Sequence, residues 1–451
     1  MTTPTPSKFD VVVGAGLPGI SASLELAKHG RNVLLLDSAP VIGGLLRSYE
    51  SDGFLFDYGT HFANLTGLPQ LDELLFGDFE RDWTEFPYLR AGNFWNGVLN
   101  EDIDNPDLNT LGRATHDRCL AEVVAAKGWS CDRTPGNARD YFLEEYGPSL
   151  VEVFFDPVFK KFVGRETSEL HHDAWKLFNF KRFVVLDSLA SNYLKRLERF
   201  DARLSFHRHQ DSPSHRLCLY PKKGGIGTWI DQLELKLAAE NVRVKCGVQI
   251  DRILVESDRV TGVMVGGNLY EVDHLVWTVA PVFFSRLAGL VSNSVPPVTR
   301  MTVLVGLIFD APPLTECHYL TVFDTALKSF RVTLYSNFRA VEDKRYPITL
   351  EFLCDSADVS RFNWVEIALK EIQEMGVVRD PSRLIATHVC VVHPGFPVQT
   401  NEVVAGLSRQ VQAIAPFKNV SLGGRASGEG WFLNDLIKGG YYTALKIVNE
   451  K

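Results

Sequence analysis

The sequence predicts an α/β protein: a doubly wound, nucleotide-binding sheet interrupted by a helical insertion and by a second domain built on an antiparallel sheet. Three observations carry that prediction. An apolar strand at the amino terminus runs into a glycine turn and a helix; strand-like runs return after residue 240 and again near residue 420; and the chain between them has helical periodicity first and β-rich runs later. At 451 residues the chain is long enough for two or three hydrophobic cores.

The first unit is the most explicit. Phe9 to Val13 is a short apolar, β-branched run, Gly14-Ala15-Gly16-Leu17-Pro18-Gly19 follows, and Ile20 to His29 places apolar residues at helical spacing before Gly30. A second apolar run, Asn32 to Leu36, ends in Asp37, eighteen residues after Gly19. This is the spacing of a dinucleotide-binding βαβ unit. Gly14 permits the tight turn, Gly16 lets backbone approach a pyrophosphate, Gly19 lets helix and strand pack closely, and Asp37 is placed to accept hydrogen bonds from a ribose.

Beyond this unit, Leu68 to Phe76 reads as a short helix and Phe86 to Leu99 as a hairpin, while Asp117 to Phe200 has helical periodicity. Tyr220 to Gly227 opens a helix that runs to about Glu240. Strand-like runs follow at Val242 to Cys246, Gln249 to Val255, Val260 to Val265 and His274 to Thr278. Five more runs (Met301 to Phe309, Tyr319 to Phe323, Phe330 to Tyr335, Ile348 to Cys354, Ala386 to Val392) with one helix, Trp364 to Met375, predict the antiparallel sheet. Asn419 to Arg425 reads as a last parallel strand breaking on glycines, and Trp431 to Val448 as the closing helix. The expected organisation is a discontinuous nucleotide-binding domain (1–85, 221–295, 400–451), a helical insertion (105–215) and a substrate domain (86–104 and 296–399).

Composition excludes several classes. The net charge of −8 leaves no basic footprint for nucleic acid. Seven widely spaced cysteines form no CxxC pair, which argues against a zinc site or a disulfide framework, so no metal is expected. No signal peptide and no apolar run of bilayer-spanning length is visible, so a cytoplasmic protein is expected. Nucleophile elbow, P-loop and HExxH patterns are all absent.

After Asp37, Pro40 to Ser48 reads P-V-I-G-G-L-L-R-S and Phe54 to Phe62 reads F-L-F-D-Y-G-T-H-F. Two adjacent glycines mean that backbone passes close to something flat or bulky, or simply turns. Together with the first unit, these segments resemble the flavoenzyme superfamily of amine oxidases, protoporphyrinogen oxidases and UDP-galactopyranose mutases, with its glutathione-reductase-like FAD fold. The resemblance implies FAD as cofactor. It implies that Gly43, Gly44, Arg47 and Ser48 line the ribityl-pyrophosphate path, that Gly59, Thr60 and His61 lie near the isoalloxazine, and that Val248 lies beside the adenine. Gly424, Arg425, Asn434 and Asp435 would hold the flavin pyrimidine edge. His61 is the first catalytic candidate because imidazole switches charge near neutral pH, a core histidine being the plain alternative.

Within that superfamily, Tyr146 to Leu170 and Lys328 to Phe338 are similar to mutase segments. Arg331 matches the arginine that holds the substrate diphosphate, which makes it catalytic as well as substrate-binding, and Tyr335, Asn337, Phe162, Arg182 and Trp431 complete the implied substrate set. The sequence departs from the mutase pattern where Phe162 or Val163 stands for a tryptophan, where Leu186 stands for a second diphosphate arginine, and where Gly430 to Asp435 replaces paired tyrosines. The resemblance implies a nucleotide sugar or related glycosyl diphosphate as substrate, with reduced flavin N5 adding to the anomeric carbon as the diphosphate leaves. The alternative is a net oxidoreductase of the amine-oxidase or protoporphyrinogen-oxidase type. NAD(P)H stays open as an electron donor, because relatives use it without a second fingerprint.

Overall fold

The computed structural model describes residues 8–127, 134–212, 217–290, 298–428, 430 and 432–450. β1 (Phe9–Val13), α1 (Leu17–Lys28) and β2 (Val33–Leu36) form the βαβ unit. β1 and β2 are parallel, with Val11 opposite Leu34 and Val13 opposite Leu36. Their apolar side chains are buried on both faces, as a parallel sheet covered on two sides requires. Arg243–Lys245 joins the outer edge of β2, the carboxy-terminal half of Asn268–Trp277 joins the other side of β1, and Val420–Leu422 lies beyond it, all parallel. The amino-terminal half of Asn268–Trp277 leaves this sheet to form an antiparallel meander with Ile250–Glu256 and Arg259–Val265.

On one face, α1 and the helices Gly227–Ala239 and Leu433–Asn449 share a core that includes Val12, Leu24, Leu35, Trp229 and Ile437. On the other, Pro281–Leu287 and Asn401–Ile414 close over Val11, Leu34, Phe284 and Phe417. The helix Asn401–Ile414 is absent from the sequence expectations, although its start is marked: the Thr400 hydroxyl accepts from the Val403 N–H at 3.2 Å. A hairpin of Ser48–Ser51 with Phe54–Asp57 also went unread. Its turn residues Asp52 and Gly53 have φ of 50° and 71°, the Asp-Gly signature of a two-residue primed turn.

The second sheet has seven strands in the order Leu384–Pro397, Thr299–Phe309, Tyr346–Cys354, Ser329–Leu334, Tyr319–Val322, Ala91–Trp95, Val98–Asn100. It is not wholly antiparallel as expected, since Tyr319–Val322 runs parallel to Ala91–Trp95. No hairpin joins those two strands, so nothing forces them to alternate in direction. One face packs Val303, Val305, Leu320, Val332 and Leu350 against the helix Trp364–Glu374. The register puts a different set on the opposite face. Arg331 lies opposite both Thr321 and Glu351, Thr333 lies opposite both Tyr319 and Thr349, and Asn93 lies opposite Thr321. Asn93, Thr321, Thr333, Thr349 and Glu351 are all buried, so this sheet has a polar face that is nonetheless enclosed. Interiors rarely keep such groups without a use for them.

The helical region includes Arg113–Ala125, Ala138–Tyr146 and a continuous stretch from Pro148 to Val163 with a π-helical turn at Val151–Phe155. Its core is aromatic: Phe142 stacks on Phe155 at 3.9 Å between ring centroids, and Phe154, Phe155 and Tyr146 pack around Phe183. Phe162 belongs to this core. It is buried against Phe178, Phe180 and Phe330, which corrects its expected place as a substrate contact: an apolar ring at helical spacing found the core first. No helix among the described residues is long and apolar enough to cross a membrane.

Candidate functional site

The loop between β1 and α1 gives its three glycines different physical jobs. Gly14 has φ +99° and its N–H donates to the Leu36 carbonyl at 2.8 Å, folding the chain back across the sheet end. A Cβ on Gly19 would stand 1.9 Å from the Gly14 carbonyl oxygen, so the helix can approach the turn only because that position is bare. Gly16 is different: a Cβ there would have Pro18 Cδ at 3.7 Å as its nearest neighbour, because this side of the loop faces open space. Gly44, with φ +58°, is open in the same way, its nearest neighbour being the Gly16 Cα at 4.0 Å. Two glycines from separate motifs therefore line one cleft. The first turn of α1 carries no acidic residue, so its amides and positive dipole end are left available to an anion.

Asp37 closes one side of this cleft. Its carboxylate accepts from the Ala15 N–H at 2.6 Å and the Ala39 N–H at 2.8 Å, one bond on each oxygen, which leaves a lone pair on each for a ribose hydroxyl. The Val248 N–H donates to the Asp37 carbonyl at 3.1 Å, so these two expected contacts are neighbours. At the far side, Gly424 with φ +58° rests on Pro18, and Asn434 donates to the Leu65 carbonyl while its own Oδ1 is buried without a partner among the described residues. An orphaned buried acceptor, two bare glycines and an unshielded helix end fit a dinucleotide in this cleft.

Other expected cofactor contacts have partners within the protein as well. Arg47 is paired with Asp231 at 2.7 Å, and Ser48 Oγ donates to Asp57 and accepts from the Gly227 N–H, so both tie the hairpin to the helix Gly227–Ala239. Asp435 accepts from the Phe432 N–H at the start of the last helix, and the Arg425 side chain is accessible while the bulk around it lowers its pKa. Trp431 lies outside the described residues.

The second part of the site forms where the Gly59–His61 turn meets the polar face of the second sheet. Asp57 anchors that turn from below: it is buried, accepts from Ser48, the Ile226 N–H and Tyr220, and forms an ion pair with Arg339 at 2.9 Å. Gly59 has φ +114°, and a Cβ there would lie 3.3 Å from Glu351 Oε2. Thr60 bonds Glu351 Oε1 through its N–H at 3.0 Å and its hydroxyl at 2.9 Å, and also bonds the Thr333 hydroxyl. His61 follows, its Nδ1 buried and without a hydrogen-bond partner among the described residues. Burial pushes its pKa down; the charges of Asp57 and Glu351 oppose that shift and Arg331 adds to it. The imidazole is accordingly neutral at pH 7.

Arg331 projects from the same face. Its ring neighbours are Phe330 at 4.6 Å and Tyr319 at 5.9 Å, and no hydrogen bond or ion pair holds its guanidinium among the described residues. The rest of the expected substrate set does not gather around it. Tyr335 is fully buried, its hydroxyl accepting from the Asp57 N–H at 3.1 Å, because an aromatic ring at that register completes the core between the two sheets. Asn337 holds the Thr315 and Cys317 carbonyls at 2.9 and 2.6 Å, and Arg182 is bonded to the Asp201 carbonyl and carboxylate at 2.8 and 3.1 Å. Asp57, Tyr220 and Arg339 were missed as a unit. The signal for Glu351 was a lone acid in the apolar run Ile348 to Cys354, and the register shows that it faces Thr60.

His318 packs near the same floor, its ring among Phe62, Phe86 and Phe338. Burial pushes its pKa down to about 4, against about 6.5 in an unfolded chain. Between these values the unfolded chain binds more protons, so the folding contribution is complete above about pH 6.5 and falls away as pH drops toward 4. The loss should reach up to about 3 kcal/mol. Urea midpoints measured from pH 7 to 4 should decline in the wild type and decline less in His318→Phe; parallel declines would refute this assignment. Elsewhere, His171, His172 and Asp173 bring ligand-type atoms within 4.8 Å of one another, but Asp173 is paired with Lys176 at 2.8 Å and His171 Nδ1 accepts from the Asp173 N–H. Asp173 and His171 thus each have a partner within the protein.

Residues 12–75 match the model of the NAD(P)-binding Rossmann-like domain. The chain is 24% identical over 300 residues to 4,4'-diaponeurosporene oxygenase of Staphylococcus aureus strain Mu50 / ATCC 700699, an alignment that covers 60% of this chain and 55% of that protein. The chain thus spans little more than half the length of the curated relatives it matches. Reduced UDP-galactopyranose mutase superposes with a TM-score of 0.73 at 17% identity, over 98% of this chain and 95% of the other. A triple mutant of putrescine oxidase superposes at 0.64 and 14% identity, over 98% and 99%. The chain therefore carries an NAD(P)-binding Rossmann-like unit at its amino-terminal end and shares its fold, over nearly its whole length, with UDP-galactopyranose mutase and putrescine oxidase.

Proposed function

We propose that this protein is an FAD-dependent enzyme acting on a small anionic molecule, a nucleotide sugar or related glycosyl diphosphate, beside Arg331, where the Gly59–His61 turn meets the polar face of the second sheet. The observation that carries this reading is Arg331: a guanidinium that no hydrogen bond or ion pair holds among the described residues, set on a polar sheet face near a neutral histidine. A cation so placed is suited to a diphosphate, whose oxygens match its planar fork. Asp37 and Val248 would hold the adenosine of FAD, Gly16, Gly44 and the α1 amino terminus its pyrophosphate, and Asn434 with the Gly59–His61 turn the flavin end. Bound FAD supplies electron transfer and, when reduced, a nucleophilic nitrogen.

The chain's own groups do the rest. Arg331 stabilises charge as it develops on a leaving diphosphate. Thr60, Thr333 and Glu351 form a fixed hydrogen-bonded wall that orients the substrate, and His61 can take or return a proton at Nδ1. A second reading, a net oxidoreductase, is favoured by the engagement of Phe162, Tyr335, Asn337 and Arg182 elsewhere in the fold, and by the oxygenase and oxidase named among the similar proteins. It needs only the flavin cleft and His61.

A thermal-unfolding panel separates the two. The flavin-loaded protein, oxidised and dithionite-reduced, is heated with UDP, dTDP, GDP, CDP or no ligand; a ligand at 100 times its Kd adds about 2.7 kcal/mol to the folded state. Stabilisation by one nucleotide supports the glycosyl-diphosphate reading and names the base. No stabilisation in either redox state, with anaerobic bleaching of the flavin by an amine or other reduced donor, supports the oxidoreductase. NADPH is included as a reductant to test it as the electron donor.

A further inference from the structure

Arg331 and Glu351 stand directly opposite each other on adjacent antiparallel strands, Ser329–Leu334 and Tyr346–Cys354, and so on the same face of the sheet. Residues so placed have Cβ atoms about 4.5–5.5 Å apart, and opposite charges there ordinarily pair. Yet no hydrogen bond or ion pair holds the guanidinium among the described residues. The Glu351 carboxylate is engaged by the Gly59–His61 turn instead. Its Oε1 accepts from the Thr60 N–H at 3.0 Å and from the Thr60 hydroxyl at 2.9 Å, and its Oε2 lies 3.3 Å from where a Cβ on Gly59 would stand. A hydroxyl has one proton to give. Since that of Thr60 goes to Glu351, Thr60 accepts from the Thr333 hydroxyl, on the strand of Arg331. Thr60 is therefore fixed from both strands. The guanidinium lies by the rings of Phe330 and Tyr319, at 4.6 and 5.9 Å, and the strand of Tyr319 is on the side away from Glu351.

We infer that Thr60 is a positioning residue: by holding Glu351 it keeps that carboxylate from pairing with Arg331, and so leaves the guanidinium open to an anionic ligand. This inference rests on the anionic-substrate reading above. A carboxylate across the strands and a diphosphate compete for the same planar fork, so an arginine already paired with Glu351 would have to break that pair before taking a ligand. Two donors from Thr60 on one Glu351 oxygen remove the competitor in advance. The hydroxyl at residue 60 supplies one of them, and a bare residue 59 lets the other oxygen lie against the turn. Anion binding thus depends on a side chain that the anion need not touch. The latch also links the anion site to the turn that carries His61, because displacing that turn would release Glu351 toward Arg331.

Calorimetry with inorganic pyrophosphate on the flavin-loaded protein tests this, with unfolding curves beside it. Thr60→Val removes the hydroxyl and keeps the N–H, so Glu351 loses one of its two bonds; the loss of one charge-assisted hydrogen bond should lower pyrophosphate affinity about tenfold or more. Thr60→Ser keeps the hydroxyl and should bind like the wild type. Thr60→Val combined with Glu351→Gln, which takes away the competing charge, should recover most of the loss. Thr60→Val that binds as tightly as the wild type overturns the inference. So does a double variant as weak as Thr60→Val, because the loss then comes from a damaged turn. Stability reads the latch without any ligand: the losses from Arg331→Met and Glu351→Gln should add in the wild-type background and be coupled in the Thr60→Val background, where the two charges can meet. Additivity in both backgrounds overturns the inference whatever pyrophosphate does. Pyrophosphate binding that is absent, or unchanged in Arg331→Met, overturns it by a different route, because the anionic-substrate reading beneath it has then failed.

Discussion

Asp57→Ala should destabilise the protein by about 3–5 kcal/mol, the cost of leaving a buried charge without its counter-charge. The partner left behind is Arg339, which is itself enclosed, stacked on Tyr335 at 4.3 Å and Tyr220 at 5.0 Å, with its pKa raised by the charges around it despite burial. The loss would not stop at the ion pair. Ser48, Tyr220 and the Ile226 N–H all lose their acceptor, so the hairpin Ser48–Asp57, the helix Gly227–Ala239 and the second sheet lose the carboxylate they share. Arg339→Met should be destabilising by a similar amount, and Asp57→Ala combined with Arg339→Met by less than the sum. Denaturant midpoints of the four proteins measure this; additive losses would show that the pair is not a unit. Because Gly59 and His61 follow Asp57 by two and four residues, Asp57→Ala should also weaken flavin retention.

The contrast between Asp57 and Gly14–Gly19 shows what the sequence can state. The glycine turn is local: strand, bare positions and helix follow one another within a dozen residues, and each glycine has a short-range reason to be there. The ion pair of Asp57 and Arg339 joins positions 282 residues apart, and nothing in either neighbourhood names the other. The antiparallel strands were legible from their apolar runs, but which side chains share a face across strands is a matter of register. That register turns Thr321, Arg331, Thr333, Thr349 and Glu351 into one surface. Aromatic residues failed in the opposite direction. Phe162 and Tyr335 sit at positions where a pocket wall and a core look alike in sequence, and both went to the core. The Asp52-Gly53 turn and the Thr400 cap are local signals of the same kind as the glycine turn, each legible within a few residues.

The two enclosed arginines should therefore answer the same substitution in opposite ways. Arg339→Met removes a satisfied partner and unfolds the protein more easily. Arg331→Met removes a guanidinium that no hydrogen bond or ion pair holds among the described residues, so stability should change by no more than about 1 kcal/mol, the methionine stem filling the space beside Phe330. Binding should respond instead. Two charge-assisted hydrogen bonds at about 1.5–3 kcal/mol each imply a loss of at least about 100-fold in affinity for a nucleoside diphosphate. Arg331→Lys should recover only part of it, since an ammonium cannot form the fork. UDP titrations and unfolding curves on the same three proteins decide the matter. A structural arginine would show the reverse pattern, with Arg331→Met as unstable as Arg339→Met and nucleotide affinity untouched, because a cation that serves the fold is already bonded to it and a cation that serves a ligand is not.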